Sequence, residues 1–168
     1  NGTQWDDANI GNSSVAMGVN TTASGSASVA LGGSATASGN SSLAIGNFAT
    51  ASGDDCVAMG NGATASGSSC MAIGMNVTAS GSSSTGMGFG TTASGNFSTA
   101  IGMATAASGI ASTAMGSRVV AGNGTAGSGL GDGSMALGLI DDAVVIATPS
   151  QVTGIQSYGI FMGDQDGL

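Results

Sequence analysis

Residues 14–125 read SVAMGVNTTASGSA, SVALGGSATASGNS, SLAIGNFATASGDD, CVAMGNGATASGSS, CMAIGMNVTASGSS, STGMGFGTTASGNF, STAIGMATAASGIA and STAMGSRVVAGNGT, one 14-residue phrase written eight times. A ninth opening, SMALG at 134–138, returns after eight further residues. Self-similarity at a fixed short period marks a repeat architecture. The phrase is numbered here 1 to 14, beginning at Ser14.

Position 5 is Gly in every copy, and position 12 is Gly in the first seven. Glycines at two fixed points divide each turn into two short segments, and glycine supplies the positive φ that sharp corners need. The segments lack a 3.6-residue apolar period and have strand lengths. The expected fold is all-β: a parallel β-solenoid, or β-roll, of 14-residue turns with two short strands each, capped at both ends. Alternation then assigns faces. The large residues of the first segment are expected inside: Val15, Val29, Leu43, Val57, Met71, Thr85, Thr99 and Thr113 at position 2, and Met17, Leu31, Ile45, Met59, Ile73, Met87, Ile101 and Met115 at position 4. The small residues at positions 1 and 3 are then expected outside. In the second segment, the Ala at position 10 and the Ala, Thr or Val at position 8 are expected inside.

Positions 9 and 11 are left facing solvent. They hold Thr22, Thr36, Thr50, Thr64, Thr78 and Thr92, with Ser24, Ser38, Ser52, Ser66, Ser80 and Ser94 beside them, and Ser108 follows. Stacked strands lie about 4.7–4.9 Å apart, so these residues should form a flat, uncharged two-column lattice of hydroxyl groups. One account of it is strand propensity and Thr ladders; the other is a surface selected for its regularity.

Composition narrows the function. Charged residues make up 6% of the 168, with one Arg (Arg118) and no Lys, Glu or His. An ordinary domain carries about 25%. The net charge of −8 comes from Asp6, Asp7, Asp54, Asp55, Asp132, Asp141, Asp142, Asp164 and Asp166. Without a basic patch, neither nucleic acid nor an anionic membrane surface is an expected partner. No apolar run has membrane-spanning length. No export leader is visible, so a secreted chain is expected to be written here in mature form. The chain has no His, Glu or Lys for acid–base chemistry, its Asp residues are read in loops, and its many serines have no neighbouring base. No metal-ligand spacing is present. The expectation is a non-enzymatic protein without cofactor or metal.

Residues 1–13, with Trp5 and Ile10, do not fit the phrase and are expected to cap the N-terminal end of the stack. The Gly-rich stretch 126–133 is expected to loop out, with the Gly-Asp-Gly at 131–133 as a turn. Residues 134–168 are read as the last turn and the C-terminal cap, with strands at 143–147 and 155–163. Asn-X-Ser/Thr sequons begin at Asn1, Asn12, Asn20, Asn40, Asn76, Asn96 and Asn123, and bear on structure only in a eukaryotic secretory pathway. Cys56 and Cys70 both occupy position 1, in consecutive turns. Stacking sets their Cα atoms about 4.8 Å apart, inside the disulfide window. Two readings stand: a disulfide, which would imply an oxidising compartment, or two small residues in place of Ser.

SVALG followed by ATASG, within residues 28–39, resembles the head repeat of trimeric autotransporter adhesins, the YadA-like heads. The resemblance covers 14–125 and 134–138. It implies a left-handed parallel β-roll, association of rolls as a trimer, display outside the cell and binding of host matrix proteins. On that basis the outward Ala16, Ala30, Ala44, Ala58, Ala72, Ala100 and Ala114 are expected to pack between chains. No neck, heptad stalk or anchor barrel is visible, and the segment ending FMGDQDGL has no place in the pattern.

Two functions are therefore carried forward, since a fold does not choose between them. The first is an ice-binding (antifreeze) protein, secreted, monomeric or trimeric, whose Thr and Ser columns meet an ice plane. Thr suits this because its methyl is apolar, its hydroxyl orders water and β-branching fixes χ1. The alternative is the head of a trimeric adhesin, or a virion fibre, whose partner is an extracellular matrix or surface protein.

Overall fold

The computed structural model describes residues 10–122, 132–139, 150–152 and 158–162. Among these there is no helix. The chain winds as a parallel β-solenoid with a 14-residue turn, so each strand pairs with the strand one turn away. One wall is a ten-stranded sheet. It runs Val15–Met17, Val29–Leu31, Leu43–Ile45, Val57–Met59, Met71–Met75, Thr85–Phe89, Thr99–Met103, Thr113–Ser117, Met135–Leu139 and Tyr158–Met162. The other is an eight-stranded sheet beginning at Thr36–Ala37 and ending at Ser150–Val152. The first wall lengthens from three to five residues per strand at Met71–Met75. All pairings are parallel and in register, as in Val29↔Leu43 and Ala30↔Ala44.

The first wall faces the opposite way from the expectation above. Ala16, Ala30, Ala44, Ala58, Ala72, Ala100 and Ala114 at position 3 are fully buried, as are Ser28, Ser98 and Ser112 at position 1. The position-2 and position-4 residues read as core instead face out: Val15, Met17, Met71, Met87 and Met115 are exposed, and Val29, Leu31, Leu43, Ile45, Val57, Met59, Ile73, Thr85, Thr99, Ile101 and Thr113 are partly so. The reason is size. Among the described residues, the fully buried side chains are those of Ala, Ser, Cys, Thr and Val. A 14-residue turn brings the walls too close for a column of Met and Ile, which belongs to sheets packed about 10 Å apart. Where Val77 projects from the second wall, the facing residue is Gly86, and a Cβ there would lie 2.8 Å from Val77 Cγ1. Large and small residues thus alternate across the gap. The expected packing of the position-3 alanines between chains is excluded by the same burial.

The corners also differ from their sequence reading. The left-handed residues are those at positions 7 and 14, and most are not glycine: Asn20, Ser34, Phe48, Asn76, Ala104 and Arg118 at one corner, and Ala27, Ser41, Asp55, Ser69, Ser83, Phe97 and Ala111 at the other. Asn, Asp and Ser tolerate this region; Phe and Ala do so at the expense of local strain. Position 5 does need glycine, with φ between +124° and +137° from Gly18 to Gly116. Position 12 needs it for another reason. A Cβ on Gly39 would overlap the carbonyl of Gly53 one turn on, and Gly25, Gly67, Gly81 and Gly95 are packed alike.

At the N-terminal end, Ile10 bridges to Ala23 and packs on the core; Trp5 lies outside the described residues, as does the strand expected at 143–147. Of the loop expected at 126–133, Asp132 and Gly133 form a turn. The Asp132 carboxylate accepts a hydrogen bond from Ile110 N at 2.7 Å. Of the strand expected at 155–163, the described residues Tyr158–Met162 extend the first wall beside Met135–Leu139.

Candidate binding faces

Two faces of the roll carry regular side-chain arrays. The second wall's outer face holds the Thr column, in register from turn to turn: Thr22↔Thr36, Thr36↔Thr50, Thr50↔Thr64, Thr64↔Thr78 and Thr78↔Thr92. All six Thr are half-buried, each between a buried Ala at position 10 and a buried Ala, Thr or Val at position 8. Ser24, Ser38, Ser52, Ser66 and Ser80 beside them are exposed, Ser94 is half-buried, and Ser108 is buried with its hydroxyl donating to Ala121 O at 3.4 Å. The lattice therefore closes at its C-terminal end, where Ala106 and Val120 replace Thr.

The first wall's outer face is apolar, and reading the sequence for core residues missed it as a surface. Val15, Met17, Met71, Met87 and Met115 are between 36% and 63% exposed. In the longer strands it widens through position 6, where Phe89 lies in register with Met75 and Met103, each close to half exposed. One sequence signal could have found it. Position 3 is Ala or Gly in every turn, as a tight interior requires, whereas positions 2 and 4 vary among Val, Leu, Met, Ile and Thr.

Position 1 builds the inside edge of the same wall. Ser28, Ser42 and Ser112 hydroxyls donate to the position-12 carbonyl three residues back, each at 2.7 Å. Position 13 ties turns together on the outside: Asn40 Oδ1 accepts from Ser26 N at 3.3 Å, Asp54 Oδ1 from Asn40 N at 2.8 Å and Asn96 Oδ1 from Ser82 N at 3.0 Å. Several of the scattered Asn and Asp thus have a structural role. Among the described residues, no group of three His, Cys, Asp or Glu could hold a metal, and no helix is long and apolar enough to cross a membrane.

This combination of a 14-residue parallel turn, a glycine at position 5 of each turn and a small-residue interior defines a β-roll of stacked repeats. The YadA head domain repeat (2 copies) matches residues 10–35, 23–49, 37–63, 51–76 and 79–105. The chain belongs to that family. No curated protein matches it.

Proposed function

We propose that this chain is an adhesin-type head domain, non-enzymatic and displayed outside the cell, whose rolls associate as a trimer through the apolar outer face of the first wall. The observation that carries this reading is that face itself. A monomer rarely leaves a continuous column of Val, Leu, Ile and Met in water, and such patches mark interaction sites. Self-association removes it from solvent while leaving the corners and the Thr/Ser face free for a host surface or matrix protein. The test is Met87→Glu. Met87 is exposed in the monomer, so the variant should fold. In an interface its carboxylate would be desolvated without a partner, at several kcal/mol. Sedimentation should show the unmodified chain as an oligomer and the variant as a monomer with the same circular dichroism. An unchanged oligomer would place the contact elsewhere.

A second reading rests on the in-register Thr column, with Thr22, Ser24, Thr36, Ser38, Thr50, Ser52, Thr64, Ser66, Thr78, Ser80, Thr92 and Ser94 as an ice-contacting surface. Thr64→Tyr should then remove ice shaping and thermal hysteresis while leaving folding intact. Asn61→Tyr, at an exposed corner, should retain both. No effect of the unmodified protein on ice growth would exclude this reading and leave the adhesin head.

A further inference from the structure

Cys56 and Cys70 open the fourth and fifth turns and lie one above the other inside the roll. Cys56 is 0% exposed and Cys70 2%. Their sulfurs, unlinked in this structure, are 3.1 Å apart. Cys70 keeps the local contact of position-1 serines, its Sγ meeting Gly67 O three residues back at 3.1 Å. Cys56 does not follow that pattern. Its Sγ turns toward the next coil and meets the same Gly67 O at 2.6 Å. Both sulfurs thus converge on one point between turns. Stacking places the two Cα atoms about 4.8 Å apart, within the range a disulfide spans. Cys56 precedes the strand Val57–Met59, next to the left-handed corner residue Asp55, and its carbonyl accepts from Leu43 N at 2.8 Å, just as that of Cys70 accepts from Val57 N at 2.9 Å, so both backbones are fixed in the same stack.

We propose that Cys56 and Cys70 form an intrachain disulfide that staples turn four to turn five, at the step where the first wall's strands lengthen. This inference does not depend on which partner the outer faces meet. The oxidant is of the disulfide-exchange class. The thiolate of one cysteine attacks the oxidant's disulfide, forming a mixed disulfide and expelling one oxidant thiolate. The second cysteine's thiolate attacks the protein sulfur of that mixed disulfide and expels the other. The two cysteines lose two protons and two electrons, and the oxidant leaves as two thiols. The exchange belongs to the open chain. In the folded roll neither sulfur is accessible, and burial followed by the neighbouring Cys56 side chain pushes the Cys70 thiol up to about 12, which suppresses the reactive thiolate. Folding therefore fixes whichever state the pair has reached.

The experiment is to refold the full chain in a mixture of oxidised and reduced glutathione, then denature it with iodoacetamide present and no reductant. Mass spectrometry should find no alkyl group added, a mass two hydrogens below the dithiol, and the two Cys-containing fragments joined within one chain. The folded, oxidised protein should resist reduction until denaturant is added. Reduction after unfolding, or C56S/C70S, should lower Tm by on the order of 5–10 °C, since the bond closes a loop of about 15 residues. The double variant is expected to fold because Ser fills this position in the neighbouring turns. Two alkylated thiols, a link between chains, or an oxidised product that has lost the β signal would each overturn the proposal.

Discussion

Ala58→Glu is expected to abolish folding of the central turns, whereas Met59→Glu, one residue along, should leave the roll intact. Ala58 is fully buried, in register with Ala44 and Ala72. A glutamate there has no room for its side chain and no partner for its charge, which together place it in the range above about 4 kcal/mol. Each turn depends on its neighbours, so one broken turn splits the array. Circular dichroism should show loss of much of the β signal, or a Tm lower by at least about 10 °C. Met59 points outward and is half-buried, so its variant should keep the β signal of a folded roll, with no larger fall in Tm than Met87→Glu on the same face. If the large residues lined the interior, the two results would be exchanged.

The second large effect is Gly60→Ala. Gly60 holds φ +125°, and a Cβ there would overlap the carbonyl oxygen of Gly74 on the next turn. The neighbouring backbone cannot move away, because Gly60 N itself donates to Ile45 O on the turn before. The added methyl forces the stack apart, a strain of about 2–4 kcal/mol from backbone conformation and overpacking together. Thermal melts should show the loss. Gly90→Asn is the counterpart that should be neutral. Gly90 sits at φ +61° with nothing within 4 Å of a Cβ, and its corner position holds Asn20 and Asn76 elsewhere. Equal destabilisation by both would remove the distinction between a close approach and a left-handed corner.

These contrasts mark how far the sequence could be read. The 14-residue period, the strand character of both segments and the inward Ala of position 10 follow from glycine spacing and alternation, and the stack matches them. The facing of the first wall did not follow. Alternation states that Ala58 and Met59 point to opposite sides; it does not state which side is the interior. Ordinary cores bury the larger residue, but that rule assumes walls far enough apart to hold it. The turn's circumference decides, and its sign lay in the constancy of position 3 against the variety of positions 2 and 4. Cys56 and Cys70 were placed together by the period alone, and the structure adds that both are enclosed. The Thr column was legible as an outward face because position 9 lies between inward residues whichever way the first wall points.

Among the described residues, nothing covers the apolar outer wall of the roll. Sedimentation equilibrium of the unmodified chain across a range of concentrations measures this directly. The expected result is a species of three times the 15.6 kDa chain mass, persisting on dilution. A monomer at every concentration, with Val15, Met17, Met71, Met87 and Met115 left in water, would contradict it.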